Sequence, residues 1–209
     1  FDIRADAAAP LVEQGATLAS SVADLGAACD VISVMVLNDE QVRTVVAELL
    51  TTAAPGTVIA VHSTIRPDTA EELAVTTAAQ GVDLLDVPVS GGFIGAHDGT
   101  LAAMVGGERA AYERAKDVFG AWASVVVHMG PAGAGTRTKL ARNLMHFIAF
   151  TGAGEAQRLA EAAGLDLRKL ARVVRHSDSV TGGPGAIMLR DTTAPMVPSD
   201  DWYDILSHT

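Results

Sequence analysis

The chain has 209 residues, of which 49% are hydrophobic and 19% charged, so it can build a packed core and is no disordered tail. Its 15 Lys and Arg against 25 Asp and Glu give a net charge of −10 without any basic run, which argues against nucleic acid or an anionic membrane as partner. No run of about 18 apolar residues and no signal peptide is evident, and a cytoplasmic protein is expected. The single cysteine, Cys29, cannot form an intrachain disulfide and reads as a small core residue just ahead of an apolar strand.

Phe1-Asp2-Ile3-Arg4 reads as the end of a strand, and Ser207-His208-Thr209 closes the chain without a helix or polar tail; both ends look cut. Val31 to Leu37 is a buried-strand run, and Asn38 or Asp39 is placed to cap the helix that follows through Leu50. Pro55-Gly56 turns the chain into a second strand, Thr57 to His62. Ser63-Thr64 ends it, ahead of a helix from about Pro67 to Ala79 with proline in its first turn. Gly81 stops that helix before a third strand, Val82 to Val87. This alternation predicts a parallel α/β sheet with ligands at the carboxyl ends of its strands, where Asn38, Ser63, Thr64 and Ser90 all fall.

Leu101 to Val105 and Ser124 to His128 read as two more strands joined by a helix of about a dozen residues. A glycine-rich turn at 130–135 leads into a long helix reaching about Ala163, in which Gly152 and Gly154 suggest close packing against another helix. Gly164 is a stop, and a shorter helix is expected from Asp166 to about His176. The domains implied are a partial dinucleotide-binding α/β domain over 1–131 and an all-α domain over 132–209.

The richest chemistry lies in Asp86-Val87-Pro88-Val89-Ser90-Gly91-Gly92. Adjacent glycines let a ligand approach their N–H groups, clustered amides favour an anion, and the Ser90 hydroxyl stands at the rim. Further on, Lys139 and Asn143 are four residues apart and share one helix face. A lone lysine on an amphipathic helix is ordinarily solvated; its shared face with Asn143, just past the expected domain boundary, raises the functional reading. A partly buried lysine has a lowered pKa that suits it to exchange a proton near neutrality, while Asn143 orients it or bonds a substrate hydroxyl. Ser63-Thr64 on spacing alone reads as a cap for the helix at Pro67. Asp2 reads as a surface acid or, at the end of a second strand, as the acid that binds ribose hydroxyls, with Arg4 favouring a 2′-phosphate instead. The six histidines are scattered without metal-ligand spacing, so no metal is expected. The motif GxSxG is absent and Ser90-Gly91 is expected to open into a loop, which disfavours a serine hydrolase.

Taken in order, these segments resemble the β-hydroxyacid dehydrogenases, a family that includes 3-hydroxyisobutyrate dehydrogenase, tartronate semialdehyde reductase and, more distantly, 6-phosphogluconate dehydrogenase. Asp86 to Gly92, continued through Gly99-Thr100-Leu101 and Met104-Val105-Gly106-Gly107, is similar to the family's substrate-binding signature. Gly133-x-Gly135-x-x-x-Lys139-x-x-x-Asn143 is similar to its catalytic signature, and Val61 to Ile65 and Leu37-Asn38 to its cofactor loops. The family's N-terminal glycine-rich loop and its second lysine have no counterpart in these 209 residues.

The resemblance implies a Rossmann-like domain, a long helix and an all-α domain. It also implies NAD, with NADP as the alternative, a small carboxylate substrate, and a homodimer or higher homo-oligomer. Ser90, Gly91 and Gly92 would hold the carboxylate, Lys139 would carry the proton, and Thr64 would position the nicotinamide ribose. With Phe93 and Ile94 lining the pocket, 3-hydroxyisobutyrate is expected over tartronate semialdehyde; the bland alternative packs Phe93 into the core. Two further alternatives are an imine-reducing relative, which Lys139 argues against, and a non-catalytic binding or oligomerisation module, which the joint presence of Ser90, Lys139 and Asn143 argues against.

Overall fold

The structure is a computed structural model that describes residues 1–181 and Gly183, so the expectation for Ser207 to Thr209 lies outside the described residues. Two short helices, α1 (Ala5–Glu13) and α2 (Val22–Ala28), precede the first strand. There follow β1 (Val31–Val34), α3 (Asp39–Leu49), β2 (Val58–Val61), α4 (Pro67–Ala78) and β3 (Asp83–Asp86). Then come β4 (Val89–Ser90), α5 (Gly92–His97), β5 (Leu101–Gly106), α6 (Arg109–Gly120) and β6 (Ala123–Gly130). The helices α7 (Ala134–Ala162) and α8 (Leu167–Thr181) complete the described elements. The chain divides into two compact units between Ala141 and Arg142, inside α7.

Strand β2 explains the layering of the first unit. Its four residues are all buried because both faces of the sheet are covered, as continuous apolar strands require. Ile59 and Val61 join Ile32, Val34 and Leu84 against Val42, Val46 and Leu49 of α3 and Leu73 of α4. Val58 and Ala60 point the other way, into a cluster with Leu85, Val105 and Phe119 of α6. Burial of a side chain such as Phe119, Leu49 or Ile59, each fully enclosed, stabilises the fold by roughly 1.5–3 kcal/mol. Cys29 packs half-buried at the edge of the first cluster, as expected of a small apolar residue.

The sheet is parallel through β1–β2–β3, as the alternation predicted, and mixed beyond. Strand β5 runs antiparallel to β3 and to β4 and parallel to β6. Phe1 to Arg4 form no strand, against the sequence expectation. A strand exists through its ladder, and these residues pair with none; instead the Asp2 carboxylate accepts the Arg4 N–H at 2.8 Å.

In the second unit, α7 ends at Gly164 in the left-handed conformation, φ +69°, and Leu165 N–H reaches back to the Ala160 carbonyl. The Asp166 carboxylate then accepts Arg168 N–H at 2.8 Å and starts α8, which runs five residues beyond the expected His176. Gly152 and Gly154 do not mark close packing: a side chain at either would meet nothing within 4 Å among the described residues. No helix among the described residues is long and apolar enough to cross a membrane.

Candidate active site

Asp86 ends an apolar strand and is completely buried. A buried carboxylate needs donors, and it finds two on a segment about fifty residues away. Its Oδ1 accepts Gly133 N–H at 2.8 Å and its Oδ2 accepts Thr136 N–H at 2.7 Å. Gly133 immediately precedes α7 and Thr136 lies in its first turn, where N–H groups have no partner within the helix. Burial pushes the Asp86 pKa up, and the Thr136 and Gly133 N–H groups pull against that rise. The Thr136 hydroxyl is itself buried and makes no well-formed hydrogen bond.

One helical turn further on, half-buried Lys139 donates from Nζ to the Val89 carbonyl at 2.5 Å. Its amine therefore stands at the root of the loop that carries Ser90, Gly91 and Gly92. Ser90 is half-buried and both glycines are exposed. Gly91 is favoured by its φ of +133°, which L side chains rarely adopt, and a Cβ there would also press on Leu101 Cδ2 at 2.9 Å. Gly92, at φ +63°, opens α5, so the expectation that Ser90-Gly91 leads into a loop is corrected. Helix α5 presents Phe93 and Ile94, 85% and 73% exposed, which removes the reading of Phe93 as a core residue. Asn143 lies four residues beyond Lys139 along α7, half-buried, with its Oδ1 accepting from Arg142 at 3.4 Å.

A second group of candidates stands at the carboxyl ends of β1 and β2. The Ser63 hydroxyl donates to the Val36 carbonyl and accepts the Val36 N–H, each at 2.8 Å, so it clips the loop after β1 to the loop after β2. It does not cap α4, nor does exposed Thr64; the cap position is Arg66, whose N–H is taken by Asp39 Oδ1 at 3.0 Å. Burial alone would raise the Asp39 pKa, but the Thr69 hydroxyl, the Arg66 N–H and the Arg43 charge bring it below the usual range. Asn38 caps α3 as expected, its Oδ1 accepting Gln41 N–H at 2.9 Å. The clipped loop leaves Met35 and Leu37 67% and 88% exposed.

Sequence reasoning placed Asp86 in a motif without giving it a role. The signal was there: an acid closing an apolar strand has to be buried and must meet donors, and a glycine-rich helix start supplies them. His62 is a core residue. The Val87 carbonyl 2.9 Å away can only accept, so Nδ1 carries the proton and Nε2 takes the Ser33 hydroxyl at 3.0 Å.

Residues 1–130 match the family model described as the NAD binding domain of 6-phosphogluconate dehydrogenase. An uncharacterized oxidoreductase of Mycobacterium tuberculosis is 53% identical over 212 residues, a match that covers 100% of this chain and 72% of the relative. The NAD-dependent L-serine dehydrogenase of Pseudomonas aeruginosa is 36% identical over 190 residues, or 90% of this chain and 63% of that protein. Among solved structures, 3-hydroxyisobutyrate dehydrogenase of Mycobacterium tuberculosis with L-serine aligns at a TM-score of 0.79 and 32% identity, covering 98% of this chain and 69% of that one.

Proposed function

This chain belongs to the β-hydroxyacid dehydrogenase family of NAD-binding oxidoreductases, and from that premise we propose that it interconverts a small β-hydroxyacid and its carbonyl product, with Lys139 carrying the hydroxyl proton. The observation that carries this reading is the Lys139–Val89 hydrogen bond, which holds an amine at the root of the segment that carries Ser90 and the exposed Gly91 and Gly92. The Ser90 hydroxyl and the Gly91 and Gly92 N–H groups hold that carboxylate. Lys139 takes the hydroxyl proton as the carbonyl forms and returns it in reduction. Asn143 is assigned a hydrogen bond to the substrate hydroxyl on its helical spacing alone.

A bound nicotinamide cofactor would supply the redox chemistry, NAD+ as hydride acceptor for oxidation and NADH as hydride donor for reduction. The residues at the ends of β1 and β2 fit such a group. Exposed Met35 and Leu37 offer apolar surface to its rings, and exposed Thr64 offers a hydroxyl to a ribose. Asn38 and Ser63 hold the loops that present them, and Asp2, ahead of Arg4, is the acid proposed for the free 2′-hydroxyl.

For the substrate, the reading favoured is 3-hydroxyisobutyrate or a similar alkyl hydroxyacid. Phe93 and Ile94 stand exposed directly after the carboxylate loop, and an apolar wall leaves an added hydroxyl or ammonium without a partner, a loss of about 1–3 kcal/mol. The second reading is L-serine, for which one relative is named and with which another was solved. Tartronate semialdehyde is the third. The kcat/KM of the full-length enzyme on all three tests this: 3-hydroxyisobutyrate should lead, and a strong preference for either polar substrate would mean that Phe93 does not face the substituent. A homodimer or higher homo-oligomer is proposed as well, because α7 and α8 expose Phe147, Ile148, Leu159 and Val173; a monomer in analytical ultracentrifugation would refute it.

A further inference from the structure

We propose that Asp86 is a positioning residue for proton transfer: the Asp86–Val89 segment grips α7 at two levels, its carboxylate fixing the helix start and its Val89 carbonyl receiving Lys139. The proposal rests on the assignment of proton transfer to Lys139. It removes Asp86 from the substrate-binding role that its place at the head of the Asp86–Gly92 segment suggests.

Asp86 is completely buried, and each of its oxygens accepts an N–H at the start of α7, from Gly133 just before it and Thr136 within it, so neither is turned towards solvent or a ligand. Gly133 immediately precedes the helix and Thr136 is its third residue, so the carboxylate acts as a cap lent by a distant strand, with its charge at the positive end of the helix. Lys139 follows within the next turn. A slip of α7 by one residue would move it about 1.5 Å along the axis and about 100° around it, off the Val89 carbonyl.

The contact has no slack. A Cβ at Gly106 would run into Asp86 Oδ1, and a Cβ at Gly135 would run into the Asp86 and Met104 carbonyls. The two glycines let β3, β5 and the start of α7 meet backbone to backbone. The Thr136 and Gly133 N–H groups lead the interactions that offset the burial of the carboxylate, so the helix start and the strand end are fixed together.

The test is a double-mutant cycle in the full-length enzyme between Asp86→Asn and Lys139→Ala. The asparagine keeps one acceptor but sets an NH2 group against the other backbone N–H, loosening the helix start while preserving shape. The expected result is a kcat lower by roughly 10- to 10²-fold, the cost of misplacing a reacting group by about 1 Å. The KM for the hydroxyacid should stay within about threefold. Because Asp86 acts through Lys139, the double variant should be no slower than Lys139→Ala alone. Losses that multiply in the double variant would overturn the proposal, as would a raised KM with kcat intact, which is the signature of substrate binding. If Lys139→Ala itself kept the wild-type kcat, the proton-transfer assignment would fail and this proposal with it, an outcome distinct from the other two. Should Asp86→Asn not fold, Gly133→Ala serves in the same cycle: at φ +84° a side chain there strains the helix start and disturbs one of the two donors while sparing the carboxylate.

Discussion

Two corners of the sheet carry the candidate residues, and they are held in different ways. At the end of β3, three hydrogen bonds join segments about fifty residues apart, and all of them fix α7 and its lysine. At the ends of β1 and β2, the Ser63 hydroxyl on Val36 and the Asp39 carboxylate on the Arg66 N–H join segments 27 residues apart, and apolar side chains are left standing in solvent. The first corner suits the proton carrier proposed at Lys139, for which small displacements would cost rate. The second is an open shelf, where the cofactor proposed to bind there would supply contacts to exposed Met35 and Leu37. Under the proposed function, Lys139 and Thr64 are the residues that would touch a ligand, whereas Asp86 and Ser63 hold other groups in place.

The largest effect that can break this contrast is at Lys139. Its replacement by alanine should lower kcat by roughly 10²- to 10⁴-fold, the range for a general acid–base group, with little change in NAD affinity. Steady-state kinetics with both substrates varied decides it; an unchanged kcat would remove the proton carrier from the first corner. A smaller effect belongs to Ser63→Ala in the second corner. It leaves the Val36 N–H and carbonyl without their partner, a loss of about 1–3 kcal/mol. Thermal unfolding should show a lower Tm, and kinetics a raised KM for NAD with kcat retained at saturation. A fall in kcat at saturating NAD would mean that Ser63 touches the reacting groups.

Much of this was legible in the sequence where the signal is local. Strands β1, β2, β3, β5 and β6, helices α3, α4 and α6, the long α7, the Asn38 cap and the Gly164 stop follow from apolar runs and turn residues. Helices α1 and α2 and strand β4 were not anticipated, being short and weakly patterned. Helix α5 was hidden because Gly-Gly reads as a loop, and both glycines do take the positive φ of a turn at its start. Ser63 shows the general limit. Serine before Pro67 looks like a helix cap, and only the fold reveals that its hydroxyl is already taken by Val36 across the sheet. For Asp86 the sequence carried the residue but not its partners, because Gly133 and Thr136 come within reach only once β3 and α7 are packed.

The smallest effect concerns His62, which lies under the second corner at the end of β2. Burial holds its pKa below the ordinary 6.5, against the opposing pull of the bond to the Val87 carbonyl. The aromatic rings of Phe119 and Trp122 stand edge-on to it, 6.0 and 5.1 Å between centroids, and offer no counter-charge. Below pH 6.5 the unfolded chain takes up a proton at this histidine that the folded chain resists. The folded state's advantage is therefore complete above 6.5 and is lost as the pH falls towards the depressed folded value. Thermal unfolding between pH 7.5 and pH 5 should show a steeper loss of Tm for the wild type than for His62→Gln, whose amide keeps donor and acceptor atoms but does not titrate. Equal slopes would mean that His62 charges freely in the folded state, and that the shelf at the ends of β1 and β2 rests on a looser core than its hydrogen bonds indicate.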